Sequence, residues 1–267
     1  MTIAGSDSCS GAGIQADLKV FSLLGVHGLT AVSTVVAETP LRVHGVHPVS
    51  PAEVQEQIRC LLNCYPVTAI KTGLLGPASN VIAVAEMLQG CDMPIVVDPV
   101  LSSSSGTTFG NDDILSAYRE HLLPLATVLT PNQPEAEKLL GLRPGCQKPA
   151  DLVRILASEL NTAALLTGGH GTGDQAIDLL CLEGEVTSFT TPKLGLASAH
   201  GTGCTLSAAL TAHLARGLML AEAVDGAKQV VTRALKESYQ WETDCSLGEL
   251  RALNQLPLEI LQRPPSK

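Results

Sequence analysis

Strand-like and helix-like segments alternate along most of the chain, and this alternation limits its possible folds more than any other feature. Short β-rich runs are followed by segments whose apolar residues recur at helical spacing. The strand-like runs are residues 29–36, 69–73, 94–99, 127–132 and 163–169. Because strands separated by helices pair in parallel through right-handed crossovers, we predict an α/β fold with a mainly parallel central sheet and helices on both faces.

The C-terminal part adds a different pattern. Residues 176–182 and 185–190, joined near Glu183 and Gly184, predict an antiparallel hairpin attached to the sheet. Two long helical patterns follow, at 203–216 and from 221 to about 237. No internal repeat or linker-like stretch divides the sequence, so residues 1–267 are predicted to form one domain with a loose, polar tail after about residue 256.

Charge and composition exclude several classes of function. The 267 residues are 45% hydrophobic, and 17 basic against 26 acidic residues give a net charge of −9. An acidic chain is a poor general binder of nucleic acid or of anionic membranes. Neither a signal peptide nor a long apolar run is evident, which predicts a cytoplasmic protein.

The eight cysteines show neither a C-x-x-C pair nor the spacing of a zinc site. A chain of this size does not need disulfides, so we expect reduced thiols. Cys60 and Cys64 share one face of a predicted helix and are expected to be packing residues.

A glycine-rich segment before the first of the long helices is the main indication of chemistry. Gly201, Thr202 and Gly203 allow successive backbone N–H groups to converge, and the helix that follows directs its free N–H groups toward the same point. Cys204 would lie in the first turn, where this field favours the thiolate. The segment predicts an anion site beside an activated nucleophile or base. The alternative is a glycine-rich turn with a buried cysteine.

A second glycine-rich segment follows the N-terminal strand. It contains Gly5, Gly11 and Gly13 and leads into a helix that starts near Ile14. Glycines after a strand let a ligand approach the backbone closely. The spacing does not match the dinucleotide-binding fingerprint.

Polar residues follow several of the predicted strands. Glu38, Asp98 and Asn132 lie at such ends, and Glu135 follows one turn later. Ligands of open α/β sheets bind beyond the carboxyl ends of the strands. Because two carboxylates with an asparagine suit Mg²⁺, these residues together favour phosphoryl transfer from a nucleotide. Each alone is equally consistent with a helix cap or a loop contact.

On these residues the chain resembles the ribokinase-like superfamily, and within it the hydroxymethylpyrimidine/phosphomethylpyrimidine kinases of thiamine biosynthesis. The similar stretches occur in the family's order from Met1 to about Glu237. They are residues 4–8, 11–19, 70–73, 97–100, 130–137, 168–170 and 200–205. The resemblance implies a ribokinase-like three-layer sandwich, with ATP and Mg²⁺ as cofactors.

The resemblance also implies residue roles. Cys204 would act as the base, while Gly201, Thr202 and Gly203 would stabilise the transferring phosphoryl group. The remaining roles concern the pyrimidine (Gly5, Asp17 and Glu38), the nucleotide (Asn132, Thr167 and Gly169) and Mg²⁺ held through water (Asp98 and Glu135). The implied partners are a small pyrimidine and ATP, and the implied assembly is a homodimer.

At two positions where relatives commonly carry lysine, this chain carries Ser104 and Thr167. The implied activity is phosphorylation of 4-amino-5-hydroxymethyl-2-methylpyrimidine and then of its monophosphate. The first alternative is a pyridoxal kinase of the same superfamily. The second is a pyrimidine-binding sensor with weakened catalysis.

Overall fold

A nine-stranded sheet organises the computed structural model, which describes residues 1–103, 106–168, 173–194, 200–242 and 249–256. The strands are Thr2–Asp7 (β1), Thr30–Thr39 (β2), Arg42–Pro48 (β3), Ile70–Thr72 (β4), Ile95–Val97 (β5), Val128–Leu129 (β6), Ala163–Leu166 (β7), Gln175–Leu182 (β8) and Glu185–Pro192 (β9). Their order is β3-β2-β1-β4-β5-β6-β7-β8-β9. A separate antiparallel pair joins Tyr239–Glu242 (β10) to Glu249–Ala252 (β11).

The centre of the sheet is parallel and its two edges are antiparallel. Strands β2, β1, β4, β5, β6 and β7 run in parallel, whereas β3, β8 and β9 are added in antiparallel pairs. The predicted parallel sheet and the β8–β9 hairpin are therefore confirmed. Strand β3 was not predicted, because this mostly exposed edge strand lacks an apolar alternation.

Helices cover both faces of the sheet, as predicted. Gly13–Leu23 (α1), Thr202–Ala215 (α7) and Leu220–Lys236 (α8) pack on one face. The other face carries Pro51–Cys64 (α2), Ala78–Leu88 (α3), Asp112–Ala117 (α4), Gln133–Leu139 (α5) and Pro149–Leu160 (α6). Successive residues of β5 point to opposite sides, with Val96 in the α7 layer and Val97 in the α3 layer. The result is a three-layer α/β sandwich.

Local signals explain several helix boundaries. Ser50 caps α2 by accepting the Glu53 N–H, and Pro51 occupies the first helical position. A π-helical turn, Tyr118–Leu122, and a 3₁₀ turn, Leu123–Leu125, follow α4.

Cys60 and Cys64 lie on α2 but are exposed, so the expectation that they pack in the core is wrong. The core side of α2 is carried by Val54 and Ile58 instead. The predicted tail after residue 256 lies outside the described residues. Among the described helices, none has the length and apolar character needed to cross a bilayer.

Candidate active site

The carboxyl ends of the parallel strands bring most of the predicted site residues to one edge of the sheet. Across this edge, Glu38 belongs to the end of β2, Asp7 ends β1, Asp98 follows β5 and Asn132 follows β6. Thr167 follows β7 and forms an isolated parallel bridge with Asn132. The order of the strands therefore separates Glu38 at one end of the site from Asn132 and Thr167 at the other.

The two glycine-rich segments meet in the middle of this edge. Gly201 has φ +90°, and a Cβ there would lie 1.8 Å from the carbonyl oxygen of Gly11. Only glycine therefore allows the two loops to approach this closely. The Gly13 N–H also donates a hydrogen bond to the Cys204 sulfur. Residues far apart in sequence thus form one structure around the start of α7.

The start of α7 is open on one side. Gly201 is buried, Thr202 is partly buried and Gly203 is exposed. A Cβ at Gly203 would meet no heavy atom within 4 Å, so a ligand can approach the backbone there. This geometry is compatible with the predicted anion site at a helix N-terminus, which stays a prediction.

The expectation that Cys204 is a thiolate is wrong for the ligand-free protein. Burial raises the pKa of the Cys204 thiol to about 12; Lys71 and the Gly13 N–H oppose this shift, while Asp98 and Asp17 reinforce it. Loss of water and two nearby carboxylates therefore outweigh the helix terminus. Cys204 is protonated at neutral pH before ligands bind.

Beside this segment lies a cluster of acidic and imidazole groups that the sequence did not reveal as a unit. The His200 Nε2 atom lies 3.0 Å from Asp7 Oδ2 and 4.0 Å from Glu38 Oε1. Burial alone would lower the pKa of His200, but Asp7 raises it. Burial and the charge of Asp7 raise the pKa of Glu38 to about 7. Glu38 is therefore poised to act as either donor or acceptor near neutral pH.

The structure corrects the expected position of Asp17. Its side chain is completely buried, where it accepts hydrogen bonds from Lys71 Nζ at 2.9 Å and from Thr2 Oγ1 at 2.6 Å. Burial disfavours the Lys71 ammonium, yet Asp17 raises the pKa of Lys71 above its ordinary value. Asp17 thus lies beneath the site and does not line it. Gly5 is likewise buried within β1, where a Cβ would approach Thr34 Oγ1 to 2.6 Å.

Two buried carboxylates lie near each other beyond β5 and β6, Asp98 after the end of β5 and Glu135 in the first turn of α5. Asp98 accepts a hydrogen bond from Ser207 Oγ at 2.8 Å, while Glu135 accepts from the Asn132 N–H at 3.0 Å. Burial and the charge of Asp98 raise the pKa of Glu135 to about 8. Burial also raises the pKa of Asp98, although Lys71 opposes the shift. Two mutually repelling carboxylates are a suitable oxygen environment for a divalent cation.

Asn132 and Glu135 form the capping box of α5, so the alternative interpretation of these residues as helix caps is confirmed. The Thr167 hydroxyl donates to the Pro131 carbonyl at 3.4 Å. Gly169 and Ser104 lie outside the described residues.

Asp178 supports the loop after β7 and was missed at the sequence level. Its carboxylate accepts the Gly168 N–H at 2.8 Å and Lys228 Nζ at 2.7 Å. The only signal was a carboxylate within an otherwise apolar strand.

Comparison with known proteins agrees with this geometry. The phosphomethylpyrimidine kinase family model matches residues 7–247. A hydroxymethylpyrimidine/phosphomethylpyrimidine kinase of Streptomyces coelicolor is 41% identical over 242 residues, covering 90% of this chain and 89% of that protein.

Two solved structures extend the likeness to the fold. An ADP complex of Bacillus subtilis pyridoxal kinase has a TM-score of 0.82 at 33% identity, covering 94% of this chain and 95% of that one. A phosphomethylpyrimidine kinase of Clostridium difficile has a TM-score of 0.75 at 32% identity, covering 88% and 97% respectively.

Proposed function

Because the chain belongs to the phosphomethylpyrimidine kinase family, we propose that its site transfers phosphate from ATP to the hydroxymethyl group of 4-amino-5-hydroxymethyl-2-methylpyrimidine, and then to the monophosphate. The observation that supports the proposal is the close packing of Gly11 against Gly201, which joins the two glycine-rich segments beside Cys204 and near Asp98. An acceptor site and a donor site thereby share one anion-binding helix terminus.

The acceptor lies on the side of Glu38. This carboxyl group is almost buried, with 8% of its side chain exposed, and it binds the exocyclic amine or a ring nitrogen of the pyrimidine. Cys204 removes the proton of the hydroxymethyl group during transfer. Because burial keeps the thiol protonated in the ligand-free protein, proton removal requires that the thiol ionise once the substrates are bound.

The donor lies on the side of Asn132 and Thr167. Asp98 and Glu135 would hold Mg²⁺ through water, because they are buried carboxylates whose proximity raises the pKa of Glu135. The metal ion would neutralise charge on the phosphates of the donor. The N–H groups of Gly201, Thr202 and Gly203 stabilise the charge of the transferring group.

An assay of ADP release with the pyrimidine, its monophosphate and pyridoxal tests this function. We expect turnover on the first two substrates that requires Mg²⁺. Binding of the pyrimidine without ADP release would contradict catalysis and indicate the sensor.

Pyridoxal phosphorylation is a second candidate, because a pyridoxal kinase is the structural neighbour with the TM-score of 0.82. A pyridoxal kcat/KM above that of the pyrimidine would make it the main activity. The ratio of the two kcat/KM values therefore decides between them.

We also propose a homodimer formed through the β2–β3 edge. The outer edge of β3 is unpaired in the sheet, and the hairpin exposes Val35, Leu41 and Val46. Val46→Lys should shift the protein to monomer in light scattering. Leu182→Lys, near the opposite edge, should leave the dimer intact. Equal behaviour of both variants would contradict this interface.

The cysteines of the described residues are free, in keeping with the proposed reducing cytoplasm.

A further inference from the structure

The Asp7–His200 pair has a neighbour that the proposed reaction does not use. Cys9 Sγ lies 3.0 Å from Asp7 Oδ1, and His200 Nε2 lies 3.0 Å from Asp7 Oδ2. One ligand atom from each of these three residues lies within 4.8 Å of the other two. Zinc bonds of about 2.0–2.3 Å in tetrahedral geometry place ligand atoms roughly 3.2–3.8 Å apart. Small side-chain movements would therefore suffice to close a metal site.

Two of these three side chains are already held in place. The Asp7 carboxylate accepts backbone N–H groups from Cys9 at 2.8 Å, Gly11 at 2.9 Å and Ala12 at 2.8 Å. The His200 ring packs against Gly11, where a Cβ would approach its Cδ2 atom to 2.7 Å. Ligands fixed in this way lose little conformational freedom when they bind a metal ion.

Glu38 supplies a fourth ligand atom, the second carboxylate oxygen. Its Oε1 atom lies 4.0 Å from His200 Nε2. The Ser8 hydroxyl donates to the Glu38 carbonyl and accepts the Glu38 N–H, both at 2.9 Å, and so joins the two loops. The set of donors is then one thiolate, one imidazole and two carboxylates.

The charge of this set suits a divalent cation. A thiolate and two carboxylates carry three negative charges, which a divalent ion and the nearby Lys19 ammonium would balance. Lys19 Nζ is held at 2.7 Å from the Ser10 carbonyl oxygen. Thiolate and imidazole ligands favour zinc over magnesium.

We propose that Asp7, Cys9, His200 and Glu38 form a site for a thiophilic divalent cation, of which Zn²⁺ is the probe. This site is separate from the pair formed by Asp98 and Glu135. Binding displaces the thiol proton of Cys9, the proton on His200 Nε2 and the proton of the protonated fraction of Glu38 to solvent, and metal bonds to sulfur, nitrogen and oxygen replace them. No oxidation is involved.

The test is a Co²⁺ titration without nucleotide in a Cys60→Ser/Cys64→Ser background, because those exposed thiols lie one helical turn apart. We expect one equivalent of Co²⁺ to produce thiolate-to-cobalt absorption, which Zn²⁺ then removes by displacement. Cys9→Ser should abolish this absorption and weaken Zn²⁺ binding at least about tenfold. Serine retains a donor toward Asp7, so the loop should still fold.

Cys146→Ser is the matched control, since it removes an exposed thiol elsewhere, and it should retain the absorption. His200→Gln should weaken binding as Cys9→Ser does. The proposal would be overturned if the Cys60→Ser/Cys64→Ser protein showed no thiolate-to-cobalt absorption. It would also be overturned if the absorption persisted after Cys9→Ser was added.

Competition between Co²⁺ and the pyrimidine for Glu38 is a separate measurement, because it rests on the proposed function. Excess pyrimidine should weaken Co²⁺ binding if Glu38 serves both ligands. Absorption without competition would support the metal site and contradict the contact between Glu38 and the pyrimidine.

Discussion

The position of Cys204 at the start of a helix favours the thiolate, whereas its burial favours the neutral thiol. It lies in the first turn of α7 beside the Gly13 N–H, but burial holds its thiol in the protonated form. Chemistry at this residue therefore depends on how readily the thiol ionises when substrates are bound.

Cys204→Ala should lower kcat by roughly 10²- to 10⁴-fold, the usual contribution of a positioned acid–base group. Binding of the pyrimidine should change little, because the acceptor contact is assigned to Glu38. Steady-state kinetics with equilibrium binding measures both effects. Cys146→Ala is the control, since its thiol is exposed. Near-normal turnover of the Cys204→Ala protein would reduce Cys204 to a packing residue.

The raised pKa of Cys204 also predicts how stability depends on pH. The folded pKa of about 12 exceeds the unfolded value of about 8.5. The stability gained from the neutral thiol is therefore complete below pH ~8.5 and is lost as the pH rises toward the folded pKa. Between pH ~8.5 and ~10.5, wild type should lose up to about 2 kcal/mol more than Cys204→Ser, whose hydroxyl does not ionise. Urea unfolding at each pH measures the difference, and parallel curves would contradict the assigned shift.

Glu38→Ala should weaken pyrimidine binding by about 1–3 kcal/mol, because it removes a hydrogen-bond partner from a nearly buried site. The affinity for ATP should not change, since the donor lies at the other end of the sheet edge. Calorimetry with each ligand tests this, with the exposed Glu185→Ala as control. Equal losses for both ligands would indicate misfolding or a nucleotide role.

At the scale of elements, a buried ion pair joins β4 to α1 near Cys204. Lys71 and Asp17 are fully buried and lie 2.9 Å apart. The pair links the strand that carries Lys71, near Cys204, to the helix that follows the N-terminal glycine-rich segment. Sequence patterns do not reveal such a pair, because its partners lie 54 residues apart.

Lys71→Met should destabilise the fold by about 3–5 kcal/mol, since Asp17 would remain as an uncompensated buried charge. Lys71→Met/Asp17→Asn should recover part of this loss, because no buried charge then remains. Chemical denaturation gives the free energies of unfolding. The exposed pair of Arg59 and Glu56 provides the control, and Arg59→Met should change stability by less than about 1 kcal/mol. A double variant less stable than Lys71→Met would contradict this account.

At the scale of the whole molecule, the negative net charge opposes the binding of ATP, which is also negatively charged. The net charge is −9, so local dipoles and metal ions must offset the charge of the phosphates. In the proposed function, the N–H groups at the start of α7 and a cation held by Asp98 and Glu135 would do this locally. Thr167 contributes a hydroxyl, which carries no charge.

Thr167→Lys should raise kcat/KM for the monophosphate more than for the unphosphorylated pyrimidine, because the monophosphate brings additional negative charge. In the wild type, the second step should be the slower one and should depend more steeply on Mg²⁺. Thr187→Lys adds the same charge on exposed β9 and should not change the ratio of the two steps. An efficient second step that Thr167→Lys does not improve would show that other groups already supply the charge.

Sequence patterns by themselves determined the alternation of elements, the parallel sheet and the glycine-rich start of α7. These features depend on local propensity and on residues close together in the chain. The sequence of β3 did not predict an edge strand, because an exposed strand does not require alternating apolar and polar residues.

Tertiary structure alone decided which side chains share an environment. It placed Asp17 under the site, brought His200 to Asp7 across 193 residues of chain, and gathered Cys9 with them although no zinc-ligand spacing exists in the sequence. It also reversed the expected ionisation of Cys204, because the loss of water outweighs the field of one helix. Burial and long-range contacts are properties of the packed chain, so local sequence patterns do not encode them visibly.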